Sequence, residues 1–191
     1  MQGHALILAS ASPRRAELLR ELGLGFTVVP SDAVELESGH LTARELAQLN
    51  AHRKARSVAK RHPDALVLGA DTVVVLGTKL YGKPRDREDA ARMLGELEGR
   101  THQVVTGLSL IHLREHRERL VAERTDVRFR SLTRAEIGRY LDRIDPLDKA
   151  GAYAIQEFGE LLVEEIVGSF TNVVGLPVER LQAELRAWSG P

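Results

Sequence analysis

The chain has 191 residues, 43% hydrophobic and 28% charged, with 27 Lys and Arg balanced by 27 Asp and Glu. Zero net charge and 4% aromatic content argue against a nucleic-acid binder, which needs a basic groove and stacking platforms, and against a membrane-surface binder. The absence of cysteine removes disulfides, iron–sulfur ligation and a thiol nucleophile, and no apolar run reaches the length of a membrane span. The opening MQGHALILAS lacks the basic region and cleavage site of a signal peptide, so a cytoplasmic location is the default expectation. With no repeat, low-complexity tract or linker, one domain over 1–191 is expected.

Ala5–Ala9 reads as a strand covered on both faces, and Ser10-Ala11-Ser12 as a turn. Ser12 suits an N-cap and Pro13 the first helical position; Leu18, Leu19 and Leu22 mark the buried face, and Gly23 the stop. Arg14 and Arg15 then fall in the first turn, where cations oppose the helix macrodipole. An anion against that end reconciles them; a solvated face is the other reading. Phe26–Val29 is a second strand, followed by a polar loop over 30–41 that holds Asp32, Glu35 and Glu37. The capping box Thr42-x-x-Glu45 opens a helix with Leu46, Leu49, Ala55 and Val58 on its apolar face and Lys54 mid-helix, ending near His62-Pro63.

The most hydrophobic segment, residues 65–76, is interrupted by Asp71-Thr72. An Asp there, expected to follow a strand, is either paired in a structural role or a functional carboxylate. Gly77–Lys83 fits the phosphate-loop pattern G-x-x-x-x-G-K, but Pro84 stands where Ser or Thr should hold magnesium, so a tight turn at Gly77-Thr78 is the better reading. Lys83 precedes a helix from Asp86 to Leu97, with Ala90, Met93, Leu94 and Leu97 inward and Gly99 as C-cap. Residues 101–113 and 120–132 form a long hairpin joined by the charged link 114–119. His112-x-x-Glu115-His116 resembles a zinc-protease pattern, but that chemistry needs a helix and this segment is strand and turn, so zinc is not expected. Thr133-x-x-Glu136 caps a helix through Ile137, Tyr140 and Leu141. Residues 147–156 have no period and are a connection or a site loop; Leu161–Val167 is a strand, 168–172 a turn and Val178–Trp188 the closing helix.

These elements predict an α/β fold: a mixed twisted sheet flanked by helices, with a long central β-hairpin. Ligands of such sheets bind at carboxyl ends of strands, so the Ser10–Arg15 turn, with Ser10 and Ser12, and Asp71 are expected at one cleft. Helix N–H groups, two guanidiniums, lysines and a carboxylate suit a polyphosphate with a divalent metal. A free Asp titrates at about 3.9 and is a weak base. Asp71 becomes effective on a water acidified by the metal, in hydrolysis of a phosphoanhydride.

Ser10-Ala-Ser12-Pro13-Arg14-Arg15, Gly69-Ala-Asp71-Thr72, Gly82-Lys83-Pro84, His102-Gln-Val-Val-Thr106-Gly107, Asp148-Lys149-Ala-Gly151-Ala-Tyr153-Ala-Ile-Gln156 and Val174-Gly-Leu-Pro177 together resemble the Maf family of nucleoside triphosphate pyrophosphatases. The resemblance implies a Maf/ITPase-like fold and release of pyrophosphate from a nucleoside triphosphate with a divalent cation, Mg or Mn. It implies Asp71 as proton acceptor, Ser10, Arg14, Arg15, Lys54 and Lys83 around the phosphates, and Glu35 as a further polar site residue; with Asp71, Glu35 is the candidate metal ligand. Thr72 after the acid resembles the branch acting on dTTP and UTP, with Arg14 and Gln156 as the other specificity positions. The Gln156 amide both donates and accepts, which suits the O4/N3 edge of uracil or thymine. Ala154 and Glu157 stand where the family commonly has Gly. A pyrophosphatase for 7-methylguanosine or other modified nucleotides is the alternative enzyme, and a nucleotide-sensing, non-catalytic regulator of cell division the alternative of another class. The oligomeric state, a homodimer included, is left open.

Overall fold

The computed structural model describes residues 4–188. Residues 1–3 and 189–191, the ends of the expected 1–191 domain and the start of the stretch read for a signal peptide, lie outside them. Seven strands form one mixed sheet: β1 (Leu6–Leu8), β2 (Phe26–Val28), β3 (Leu66–Leu76), β4 (Lys79–Tyr81), β5 (Thr101–His112), β6 (Arg117–Phe129) and β7 (Val163–Val167). Their order is β2-β1-β3-β5-β6-β7, with β4 paired to β3. The first three strands in that order are parallel and the rest antiparallel. Among the described residues six α-helices surround the sheet: α1 (Pro13–Glu21), α2 (Ala43–Ala59), α3 (Arg87–Leu97), α4 (Arg134–Leu141), α5 (Phe170–Val174) and α6 (Val178–Trp188).

Strand β3 is the spine, and its alternation divides the core. Leu66, Leu68 and Ala70 face α1 and α6, packing with Leu19, Leu181 and Leu185. Val67 packs with Ala55 and Val58 of α2 on the opposite face. Val73 and Val75 pack there with Leu46 and Ala47. This is the period of two that a strand imposes. Two glycines let α2 lie directly on the sheet. A Cβ on Gly69 would collide with the Ala51 carbonyl oxygen and lie 2.8 Å from Ala55 N, and one on Gly107 would collide with the Ala47 carbonyl. No side chain fits at either point, so the helix backbone sits against the strands and its side chains reach past them.

Both expected capping boxes form: Thr42 accepts from Glu45 N while Glu45 holds the Thr42 amide, and Thr133 and Glu136 do the same. Gly77 turns β3 into β4 with φ 61°. Several expectations need correction. Asp71 does not follow a strand; it sits in the middle of an eleven-residue one. Ser12 is at the N-cap position, but its side chain makes no capping bond. Leu49 is exposed, and Asn50 points inward in its place. Helix α2 stops at Ala59, three residues before His62. The hairpin link is shorter than residues 114–119, because β6 begins at Arg117 and pairs with His112. Glu98 is the C-cap of α3, and Gly99 follows it with φ 64°. The strand expected from Leu161 begins at Val163, after a 3-10 turn over Gly159–Leu161, and the turn at 168–172 runs into the short helix α5.

Candidate active site

The cleft is a gap in the sheet. One edge of β3 pairs with β1 as far as Leu68, and with β4 from Val74 onward. Among the described residues no strand covers that edge between those points. Asp71 and Thr72 lie in the gap, and both line a cleft of about 1040 Å³. Adjacent strand residues point to opposite faces, so Asp71 turns towards α2 and Thr72 towards α1.

On the α2 face, Lys54 Nζ donates to Asp71 Oδ1 and to Glu35 Oε1, each at 2.6 Å. Lys83 Nζ lies 3.4 Å from the same Glu35 oxygen. Asn50, one turn before Lys54, donates from Nδ2 to Asp71 Oδ2 at 3.3 Å. Asp71 is 6% exposed, and both of its carboxylate oxygens are held from α2. Glu35 titrates below the usual carboxylate range: partial burial opposes its ionisation, but the Lys54 bond and charge, with Lys83, outweigh it.

On the other face, Arg15 is built into the wall. It donates from Nε to the Gly175 carbonyl (2.8 Å) and from its two terminal nitrogens to Ser10 Oγ (3.2 Å) and Thr72 Oγ1 (3.1 Å). The Thr72 hydroxyl meets Thr106 Oγ1 at 3.0 Å, which donates to the Asn172 carbonyl. Three of the five Arg15 N–H groups are thereby used internally, leaving two for a ligand. Burial lowers the pKa of Arg15, and the Asp71 and Glu35 charges offset part of that. Arg14 reaches across the mouth of the cleft to Asp148, bonding its carboxylate at 2.9 Å and its carbonyl at 3.3 Å. Asp148 in turn accepts from buried Lys149 at 2.8 Å, and Lys149 lies 3.4 Å from Glu157. At the start of α1, the Ser12 amide is taken by Ser10 Oγ.

All the expected site residues therefore meet at one cleft: Ser10, Ser12, Arg14, Arg15, Glu35, Lys54, Asp71, Thr72, Lys83 and Gln156 line it. Gln156 is exposed at the rim, beside an apolar flank of Tyr153, Ala154, Ile155 and Val174. Sequence reasoning missed Asn50. Its signal was present: Leu46, Asn50, Lys54 and Val58 recur every four residues, so a polar residue interrupts the inward stripe of α2. Asp71 and Glu35 offer oxygen donors only, the ligand class of Mg and Mn, and the ammonium held between them shows that the site favours positive charge. The residues present fit a divalent cation.

Away from the cleft, His4, His112 and Glu115 bring ligand atoms within 4.8 Å of one another. The Glu115 amide donates to His112 Nδ1, so a neutral His112 carries its proton on Nε2, which faces the Asp64 carbonyl at 3.1 Å. That ring has no lone pair free for a metal, and His116 of the H-x-x-E-H pattern is not in the cluster.

A sheet parted over a buried carboxylate, with cations on both faces, is the frame of a phosphate-handling α/β protein. The family model described as Maf-like protein matches residues 5–188, and the chain belongs to the Maf family. A dTTP/UTP pyrophosphatase of Desulforamulus reducens is 45% identical over 95% of both chains. Namesakes from Gloeobacter violaceus and Myxococcus xanthus are 49% identical over 92% of both chains, and 51% identical over 91% of this chain and 87% of the other. Among solved structures, a HAM1 protein from Coxiella burnetii aligns with a TM-score of 0.44 and 16% identity over 66% of this chain and 73% of that one, too loose a likeness to carry an argument. Among the described residues no helix is long and apolar enough to cross a membrane.

Proposed function

We propose that this chain hydrolyses nucleoside triphosphates, dTTP and UTP foremost, to the monophosphate and pyrophosphate. The observation that carries the reading is Asp71 in the sheet gap, 2.6 Å from Lys54, with the Arg15-anchored N-terminus of α1 on the neighbouring face. The activity for which relatives 45–51% identical to this chain are named points to the same substrates.

In this reading Asp71 accepts a proton from the attacking water. The water oxygen bonds to phosphorus, the anhydride between the α and β phosphates breaks, and pyrophosphate leaves with the bonding electrons. Lys54, Lys83, the remaining N–H groups of Arg14 and Arg15, Ser10, Ser12 and the first amides of α1 hold the triphosphate charge. Asp71 and Glu35 are the residues that would hold a divalent cation, Mg or Mn. Bound there, the cation would lower the pKa of a coordinated water and neutralise phosphate charge. Lys54 keeps the two carboxylates from repelling each other. The apolar flank at Tyr153 and Ile155 gives the base a surface to lie on, and Gln156 at its rim presents the amide that reads a pyrimidine edge. Thr72 acts through Arg15, since its hydroxyl is taken internally.

The test is pyrophosphate release from a panel of normal and modified nucleoside triphosphates with Mg or Mn. Preference for dTTP and UTP is expected. Turnover of 7-methylguanosine triphosphate above UTP would overturn the pyrimidine assignment, and no turnover of any nucleotide would overturn the enzymatic one.

A further inference from the structure

Asn50 is 3% exposed, and all of its hydrogen-bonding contacts run between two parts of the site. Its Oδ1 accepts from Leu36 N at 2.8 Å, and its Nδ2 donates to the Leu36 carbonyl at 3.1 Å. The second Nδ2 hydrogen goes to Asp71 Oδ2 at 3.3 Å. One amide thus uses both donors and an acceptor lone pair. Lys54, one turn later, makes the matching pair of contacts, to Asp71 Oδ1 and to Glu35. Two α2 side chains thereby tie the strand acid to residues 35 and 36 of the polar loop, oxygen by oxygen.

We infer that Asn50 is a positioning residue of the reaction: it fixes the plane of the Asp71 carboxylate and sets residues 35 and 36 against it. A carboxylate held by Lys54 alone swivels about one contact, whereas two donors on its two oxygens fix its orientation. A general base is effective only within a narrow geometry, and small misplacements are costly in rate. The amide is also suited to this place by its neutrality. A carboxylate of the same shape would set one oxygen, in place of Nδ2, against both Asp71 Oδ2 and the Leu36 carbonyl. The inference rests on the proposed pyrophosphatase reaction, in which Asp71 is the acceptor.

The experiment measures steady-state hydrolysis of UTP by the parent protein, Asn50→Ala and Asn50→Asp. Each is checked by thermal melting and by binding of a non-hydrolysable UTP analogue. The expected result is a fall in kcat of about tenfold or more in both variants, with KM and analogue affinity within about threefold of the parent. Asn50→Asp, although nearest in shape, is expected to lose at least as much kcat as Asn50→Ala. Unchanged kcat in the variants would overturn the inference, and so would losses carried by KM and affinity, which would make Asn50 a loop clamp alone. A second measurement needs no turnover: urea unfolding of Asn50→Ala, Asp71→Asn and the double variant. Non-additive effects are expected, and strict additivity would overturn the contact. A parent protein inactive on every nucleotide would overturn the functional reading instead, and the unfolding cycle would still decide whether the amide acts on the carboxylate.

Discussion

Arg14 and Asp148, 134 residues apart in sequence, close the mouth of the cleft with a carboxylate contact of 2.9 Å and a carbonyl contact of 3.3 Å. Burial resists ionisation of Asp148, but Lys149 and Arg14 together hold its pKa below the ordinary value. The pair joins the start of α1 to the loop that ends in Gln156, so it fixes Arg14 and that loop relative to each other. Asp148→Ala should raise KM for UTP about five- to tenfold while kcat stays within about threefold, because it loosens binding rather than the base. The Asp148 side chain is 50% exposed, so the stability cost should be about 1 kcal/mol or less, and melting should shift by only ~2–4 °C. A fall in kcat at constant KM would move Arg14 out of the binding role.

Asp71→Asn keeps the shape of the side chain and removes its capacity to take a proton. Loss of about 10²–10⁴ in kcat is expected, the range of a general base. Because Asn presents one acceptor to Lys54 and keeps its bulk in the gap, affinity for a non-hydrolysable analogue should remain within about tenfold of the parent. Calorimetric titration of that variant separates the two effects. Retained turnover would refute the assigned base.

Much of this was legible beforehand, and the gaps have physical causes. Turn chemistry is local, so the capping boxes at Thr42 and Thr133, the turn at Gly77 and the α1 start at Pro13 could be read from a few residues each. Asp71 is visible as an anomaly, but the apolar runs on either side of it show no period, so nothing marks that one strand continues through the acid to Leu76. The gap beside it depends on where β1 stops and β4 starts, a tertiary fact. Thr72 and Arg15 each stand out in the sequence, yet that one anchors the other follows only from α1 crossing the opposite face of β3. Hydrophobicity alone favours Leu49 for the inward face, whereas the four-residue spacing Leu46-Asn50-Lys54 puts Asn50 there.

Gly69 couples this architecture to activity. A methyl group there would strike backbone atoms of Ala51 and Ala55, which cannot move without the whole of α2. Gly69→Ala should cost about 2–3 kcal/mol in urea unfolding by overpacking. It should also lower kcat by about a hundredfold, since Asn50 and Lys54 ride on the displaced helix. Gly95→Ala is the control: its Cβ meets nothing within 4 Å in α3, and the change should stabilise by about 0.4–1 kcal/mol. If Gly69→Ala matched that control in stability and rate, α2 would not be seated as described.

His102 gives the fold a pH dependence of known sign. It is 1% exposed, its Nε2 is 2.9 Å from Tyr153 Oη, and it stacks edge-on against Phe129. Burial pushes its pKa down to about 4. Above the unfolded value of about 6.5 both states are neutral and the full stability is present. As pH falls from there towards 4, the unfolded chain takes up a proton that the native state refuses, so stability declines; below that point both are protonated and this contribution levels off. The difference amounts to about 3 kcal/mol, by the ~1.4 kcal/mol per pH unit of linkage. Unfolding free energies measured between pH 4 and pH 7 should show that slope, and His102→Gln, which has no titrating group, should flatten it while costing stability at pH 7. Because Tyr153 also lines the cleft, acidification within this window should loosen the 150–156 segment before the α2 face. Amide exchange at Tyr153 that stays as slow at pH 5 as at pH 7, once corrected for intrinsic rates, would contradict the coupling.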